Sequence, residues 1–229
     1  MCRGKKYCSE LGANPVEWNN NAPISKPIWF LEQMEIFESA VNDFISIDRN
    51  TCLAKISKIK SEEIINWFIE HGQMSGRHRD LILKIISNPT VDVNQRELSK
   101  SPRKLQDAVF LRDGYKCRYC GDRLISQNFM RLFIKKINTS LFQRGKSNLT
   151  THGIIHLYWP VADHVIPWSK GGLTNLENLV SSCATCNYGK AGYTIEQLGI
   201  ENPFNRSPKL DNWNGLIEKI TDIKNIERP

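Results

Sequence analysis

The chain has 229 residues, of which 40% are hydrophobic and 24% charged, and its formal net charge is +7. A chain of this length and composition can bury the core of one large or two small domains. It contains no run of about 18 apolar residues, and its basic start, MCRGKKYCSE, is not followed by the apolar stretch of a signal peptide. We therefore expect a globular, cytoplasmic protein that neither spans a membrane nor is secreted.

Helical spacing of apolar residues dominates the first hundred residues. Residues 28–47 place their apolar side chains at the period of a buried helix. Ser61, followed by two glutamates, begins a second predicted helix, and residues 77–87 predict a third. The last two resemble a helix-turn-helix in outline, with Arg77 and Arg79 where base-reading side chains could lie. An ordinary structural hairpin of helices explains the same pattern.

A polar stretch, NPTVDVNQRELSKSP, predicts a linker into the second half of the chain. Ser101 as N-cap and Pro102 at the first position begin the next predicted helix, residues 103–113, and Gly114 ends it. The remaining predicted elements are an amphipathic stretch at 128–142, a strand-like run at 153–161, a helix at 194–199 and a helix at 211–227 with Asp211 as its N-cap.

The positive charge is concentrated in the middle of the chain. Residues 101–162 hold 11 basic and three acidic side chains, and no acidic residue occurs between 123 and 162. Basic and aromatic side chains alternate there, which suits a polyanion, and nucleic acid is the usual one. A solvated basic face above core aromatics is the alternative. The candidate contacts are Arg131, Lys135, Lys136, Arg144 and Lys146.

Four of the seven cysteines form two Cys-x-x-Cys pairs, which we call the four-cysteine cluster: Cys117 with Cys120, and Cys183 with Cys186. In a chain without a secretory signal, this spacing favours a metal over disulfides. Two such pairs supply the tetrahedron of thiolates that zinc prefers, and binding of zinc stabilises small modules by roughly 10–16 kcal/mol. Four thiolates leave no position for water, so the predicted zinc is structural and any chemistry must come from other residues.

Polar residues with the right chemistry surround the second cysteine pair. Asp163 and His164 precede it, Asn178 lies between, and Asn187 follows Cys186 directly. A carboxylate is a hard ligand for Mg²⁺ or Mn²⁺, and an imidazole is a base with an ordinary pKa of about 6.5. These groups are the ones that hydrolysis of a phosphodiester requires.

The order of these residues resembles the HNH endonuclease family, which has a ββα-metal fold. The matching pattern is Cys117-x-x-Cys120, Asp163-His164-Val165-Ile166-Pro167, Gly171-Gly172, Asn178 and Cys183-x-x-Cys186-Asn187-x-x-Lys190. The resemblance covers about residues 103–192. It implies an HNH nuclease domain, residues 99–229. Because the first hundred residues, outside the resemblance, show helical spacing, we expect an α+β protein in which a mainly helical module, residues 1–98, precedes this domain. The four-cysteine zinc site would hold that domain together, with a basic insertion at about 123–155 and helices at the C-terminal end.

The resemblance also implies residue roles. His164 would be the general base that activates water, and Asp163 and Asn187 would bind one catalytic Mg²⁺ or Mn²⁺. Asn178 would orient the histidine and brace the loop between the strands. Cleavage would leave a 5′ phosphate and a 3′ hydroxyl. Lys190 is a candidate contact to the substrate phosphate, and a solvated lysine is the alternative.

Two features depart from the family pattern. The last motif position is Asn187 rather than the commoner histidine, and the 42 residues between Cys120 and Asp163 form a long spacer. We expect the spacer to contact DNA. The expected function is a restriction or defence endonuclease that acts on double-stranded DNA, with residues 1–98 as a target-recognition or homodimerisation module. A junction-resolving nuclease and a non-catalytic, zinc-held nucleic-acid-binding module are the alternatives, although the second gives Asp163, His164 and Asn187 no role.

Overall fold

The computed structural model describes residues 22–24, 26–72, 90–98 and 101–226. The third predicted helix, with Arg77 and Arg79, therefore lies outside the described residues. Within the described ranges, no helix combines the length and the apolar character that crossing a bilayer requires.

Helices surround one small sheet in the described part of the chain. The α-helices are α1 (Phe30–Ile45), α2 (Arg49–Ile56), α3 (Ser61–Trp67), α4 (Gln106–Arg112), α5 (Gln127–Ile137), α6 (Gly153–Tyr158), α7 (Ala184–Lys190), α8 (Ile195–Leu198) and α9 (Ile220–Asn225). A π-helical segment, Phe68–Gly72, continues α3. Strands β1 (Pro160–His164) and β2 (Leu179–Cys183) pair antiparallel. This arrangement confirms the predicted α+β class with a mainly helical first half.

The first helix belongs to the same hydrophobic core as the second half of the chain. Phe37 of α1 is fully buried, stacks on Phe142 at a ring distance of 5.1 Å and meets the edge of Phe133 at 5.5 Å. The hydroxyl of Tyr158 donates to the backbone oxygen of Phe30 at 2.8 Å. Aromatic pairs of this kind add to the free energy gained by burial. The core is thus continuous across residue 98, and a separate role for residues 1–98 stays a prediction.

The helix α2 was not predicted from the sequence, although its start carries a recognisable signal. The side chain of Asp48 accepts a hydrogen bond from the backbone N–H of Thr51 at 3.0 Å, which satisfies a donor in the first helical turn. Only Cys52 and Ile56 of α2 are buried, so its apolar period is weak. Because α2 is short and is stabilised by its cap and by contacts with α1, its sequence shows little of the apolar spacing that predicts a helix.

The predicted strand at residues 153–161 is wrong over most of its length. Residues 153–158 form α6, every residue of which is buried, and the strand begins only at Pro160. A short apolar run that is buried on all sides has no visible period, so it does not distinguish a helix from a strand. The start of α6 is capped by His152, whose ring Nδ1 accepts from the N–H of Ile154 at 3.3 Å.

The predicted helix start at Ser101 is confirmed in part, since Ser101 is the N-cap and Pro102 the first residue of a helical turn, whereas the predicted start at Asp211 is wrong. Ser101 makes no side-chain capping bond, and residues 102–104 form a 3-10 turn before α4 begins at Gln106. Asp211 instead accepts from the N–H of Trp213 at 2.9 Å within a turn. The backbone then takes positive φ angles of 73° and 65° at Gly215 and Leu216, so a helical path begins only at Ile217, first as a 3-10 turn and from Ile220 as α9.

Other predicted boundaries are confirmed. Gly114 follows α4 with a φ of 63°, and the 194–199 prediction corresponds to α8, in which Thr194 and Gln197 cap each other. The amphipathic stretch forms α5, whose buried side chains include Phe129 and Phe133. It ends earlier than expected because Asn138 adopts the left-handed conformation, with a φ of 44°.

Candidate active site

The two strands and α7 form a compact ββα unit. In the antiparallel register, Asp163 lies opposite Val180 and His164 lies opposite Leu179, and α7 begins directly after β2 ends. Successive side chains of a strand point to opposite faces, so Asp163 and His164 face in different directions from the end of β1. Asp163 is buried, whereas His164 is half-buried.

The four-cysteine cluster forms as predicted. Its four sulfur atoms lie within 4.8 Å of one another, and the Sγ atoms of Cys120 and Cys183 are 3.9 Å apart. Sulfur atoms that bind one zinc ion at about 2.3 Å lie roughly 3.8 Å from each other, so the donor set fits a tetrahedral zinc site. The ammonium of Lys26 lies 3.4 Å from the Sγ of Cys183 and forms an ion pair with Asp122. A cation beside the thiolates offsets part of their negative charge.

A tight turn gives the first cysteine pair its shape. The N–H of Gly121 donates to the backbone oxygen of Cys117 at 2.8 Å, and Gly121 has a φ of 81°, which favours glycine. The N–H of Arg118, between the two cysteines, donates to the backbone oxygen of Ser181 in β2 at 2.8 Å. The first pair is therefore attached to the strand that leads into the second pair.

A buried carboxylate, missed by the sequence reasoning, reinforces this attachment. Asp113 is fully buried and accepts from the N–H of Ser181 at 2.7 Å, from Arg112 at 2.9 Å and from Arg118 at 3.2 Å. Arg112 also donates to the backbone oxygen of Leu179 at 2.7 Å. A buried charge with several hydrogen-bonding partners fixes local geometry, and losing one of those partners is costly. The signal was present in the segment FLRDGYKC, which precedes the first cysteine pair.

The carboxylate of Asp163 is held from two sides. The hydroxyl of Tyr119 donates to its Oδ2 atom at 2.7 Å, and the Nζ atom of Lys190 lies 3.4 Å from the same oxygen. Lys190 also donates to the backbone oxygen of His164 at 2.7 Å and is fully buried. The position of Lys190 does not support the expected contact with a substrate phosphate. Its charge instead fixes the end of β1.

His164 is placed so that its imidazole is mainly neutral at neutral pH. Partial burial lowers its pKa below the ordinary value, and the nearby ammonium of Lys190 lowers it further. The carboxylates of Asp163 and Glu97 act in the opposite direction. The Nε2 atom lies 3.0 Å from the hydroxyl oxygen of Thr174. A neutral imidazole can accept a proton, as a general base must.

Asn178 spans the loop that joins the strands. Its side-chain oxygen accepts from the N–H of Ile166 at 2.8 Å, and its amide donates to the backbone oxygens of Ile166 at 3.0 Å and Leu173 at 2.8 Å. A Cβ atom at Gly172 would lie 1.8 Å from the oxygen of Ile166, so this loop excludes any larger residue there. The hydrogen bonds of Asn178 thus fix the path of the chain from His164 back to β2.

Asn187 lies on α7 and lines a cleft of about 430 Å³. Arg144, Lys146 and Tyr188 are among the residues that line the cleft, and no acidic residue of the described chain lines it. The guanidinium of Arg144 also lies over the ring of Trp159, 4.4 Å from its centre. The candidate metal ligand therefore adjoins a positively charged surface.

The other basic residues of the insertion are arranged less uniformly. Arg131 and Lys135 are exposed on α5, and Arg131 lies 5.4 Å from the centre of the Trp159 ring. Lys136 is tied to the C-terminal helix, because its ammonium donates to the backbone oxygens of Lys224, at 2.8 Å, and Ile226. Lys136 is therefore less available than the others to contact DNA.

Comparison with known proteins identifies the ββα unit. Residues 160–191, which span β1, the loop, β2 and α7, match the family model described as HNH endonuclease. This segment is similar to HNH endonucleases. No curated protein and no solved structure matches the chain. The matched residues contain the second cysteine pair, whereas the first pair and all but the last three residues of the long spacer lie outside them.

Removing one sulfur ligand should release the metal from the HNH unit. We expect Cys183→Ser to lose bound zinc and to lower the melting temperature and the soluble yield, because the remaining thiolates cannot complete the tetrahedron. The control is Cys52→Ala: Cys52 is buried in α2, and burial raises the pKa of its thiol to about 12. Metal analysis should find about one zinc per chain in wild type and in the control. A Cys183→Ser protein that retains one zinc would contradict the assignment.

Proposed function

We propose that this protein is a divalent-metal-dependent DNA endonuclease of the HNH type. One observation carries the proposal: the ββα unit presents Asp163 and His164 at the end of one strand and Asn187 on the following helix. Asp163 and His164 are the residues expected at their positions in the HNH pattern, and Asn187 is a variant that still offers an oxygen ligand. A non-catalytic binding module would explain the cysteines and the basic surface but not these three residues.

The donor set suits a hard divalent cation. Asp163 and Asn187 offer a carboxylate and an amide oxygen, and Mg²⁺ retains several of its waters, so two protein ligands are sufficient. Tyr119 and Lys190 both contact the Oδ2 atom of Asp163, and within the described ranges the Oδ1 atom accepts no hydrogen bond. Mg²⁺ or Mn²⁺, when bound there, would polarise the scissile phosphate and stabilise the leaving 3′ oxygen.

The protein side chains supply the remaining steps. His164, neutral at neutral pH, takes a proton from the attacking water, and Asn178 keeps the loop that follows His164 in a fixed path. Attack on phosphorus breaks the bond to the 3′ oxygen, which leaves a 5′ phosphate and a 3′ hydroxyl. One such site cuts one strand, so cleavage of both strands at a symmetric position would require a homodimer.

We propose double-stranded DNA as the substrate and the cleft beside Asn187 as the path of its backbone. Arg144 and Lys146 are exposed at this cleft, and Arg131 and Lys135 extend the positive surface along α5. Phosphate contacts of this kind supply most sequence-independent affinity for DNA. A restriction or defence role, with the first 98 residues in target recognition or dimerisation, is the biological context that we propose.

The catalytic assignment predicts a large effect of one substitution. His164→Ala should slow the nicking of supercoiled plasmid in Mg²⁺ or Mn²⁺ by about 10²- to 10⁴-fold, because the general base is lost. Glu177→Ala is the matched control, since Glu177 is exposed in the same loop and should leave the rate unchanged. The product ends should be ligatable without treatment by a kinase. Equal nicking by wild type and His164→Ala, or no nicking by wild type with either metal, would contradict the proposal.

If the cleft beside Asn187 binds DNA, reversing its positive charges should weaken binding and make binding less dependent on salt. Arg144→Glu combined with Lys146→Glu should weaken binding of a DNA duplex and reduce the slope of log K against log salt by about two, because two phosphate contacts are lost. Lys58→Glu combined with Lys60→Glu changes the net charge equally at exposed positions outside the cleft. Equal weakening in both double variants would show that only net charge matters and would contradict this binding site.

A further inference from the structure

A segment outside the HNH motif lies against the catalytic loop. The N–H of Val91 donates to the backbone oxygen of Ser169 at 2.9 Å, and the indole N–H of Trp168 donates to the backbone oxygen of Glu97 at 3.0 Å. The guanidinium of Arg96 lies 5.0 Å from the centre of the Trp168 ring. Residues 91–97, which the sequence predicts to be a linker, therefore make backbone and side-chain contacts with this loop.

The same segment reaches the catalytic histidine through one intermediate residue. The carboxylate of Glu97 accepts a hydrogen bond from the backbone N–H of Thr174, and the hydroxyl of Thr174 lies 3.0 Å from the Nε2 atom of His164. Glu97 and Thr174 are 77 positions apart in the sequence. A continuous chain of contacts thus links the segment before the motif to the imidazole.

This contact bears on which ring nitrogen of His164 can act as the base. A neutral imidazole has one protonated and one bare nitrogen, and the hydrogen bond made by one nitrogen decides the state of the other. If Nε2–H donates to the oxygen of Thr174, then Nδ1 is bare and can accept a proton from water. Among the described residues, none makes a hydrogen bond to the Nδ1 atom of His164.

We propose that Thr174 and Glu97 are positioning residues for His164. Glu97 holds the backbone of Thr174, and the hydroxyl of Thr174 accepts Nε2–H, which fixes the ring orientation and leaves Nδ1 as the base. The catalytic part of this inference rests on the proposed function, whereas the tautomer of His164 is a property of the folded protein alone. Glu97 lies outside residues 160–191, which match the family model. Through Glu97, residues 91–97 therefore help to position the catalytic histidine.

The kinetic test compares conservative and non-conservative variants in the full chain. Thr174→Val should lower kcat for DNA cleavage by about 10- to 100-fold while KM changes less than about twofold, since the substrate surface is intact. Thr174→Ser should restore kcat to within about threefold of wild type, because it retains the hydroxyl. Glu97→Ala should lower kcat, and Glu97→Gln, which retains an acceptor oxygen, should lower it less. Unchanged kcat in Thr174→Val, or an equal loss in Thr174→Ser, would overturn the proposal.

A second measurement does not depend on activity. Nitrogen-15 NMR of labelled histidine side chains, with His164 assigned by a His164→Gln variant, reports which nitrogen carries the proton. We expect the Nε2–H form at pH 8 in wild type and a mixture of both forms in Thr174→Val, with unchanged zinc content. An Nδ1–H form in wild type would overturn the proposal.

The two measurements separate this inference from the proposed function. If wild type does not cleave DNA but shows the Nε2–H form that Thr174→Val loses, the positioning contact stands and the proposed function fails. If cleavage depends on His164 while Thr174→Val retains its full kcat, the proposed function stands and the positioning role fails.

Discussion

The four cysteine sulfur atoms lie close together, and this contact holds in place the two segments of the chain that contain them. Cys120 and Cys183 are 63 positions apart, and the chain between them contains α5, α6, β1, which ends at His164, and the loop that leads from β1 to β2. Closing so long a loop costs conformational entropy, which a zinc site of this type offsets several times over. The hydrogen bonds from Arg118 and Asp113 to Ser181 hold the same two segments together. The cluster and the active-site residues are therefore parts of one arrangement.

Buried charge in this arrangement positions side chains more than it stabilises the fold. Lys190 is fully buried between the carboxylate of Asp163 and the backbone oxygen of His164. A buried ion pair gains little net free energy, because both charges are removed from water, but removing one partner is costly. The pair therefore fixes the end of β1, where a proposed metal ligand and the proposed base are adjacent. Tyr119, which lies between the first two cysteines, completes the link from the cluster to Asp163.

Residues that must recur at fixed intervals along the chain to bind a metal were predictable from the sequence. The cysteine pairs are the clearest example, because two Cys-x-x-Cys pairs supply the four sulfur atoms of one tetrahedral metal site. The helix at residues 28–47 was predictable because one face is buried. The run at 153–161 was not, since burial on all sides removes its period. The burial of Lys190 and the contact from Glu97 to Thr174 depend on segments distant in the sequence, and such contacts leave no local signal.

We propose that one fold holds two metal sites of different chemistry, a structural one of sulfur and a catalytic one of oxygen. Anomalous X-ray diffraction from crystals grown with Mn²⁺ tests it most directly, with data collected at the zinc and manganese absorption edges. We predict a zinc peak within the four-cysteine cluster and a separate manganese peak in contact with Asp163 and Asn187. A manganese peak away from both residues, or a single metal peak at the cysteines alone, would contradict the account.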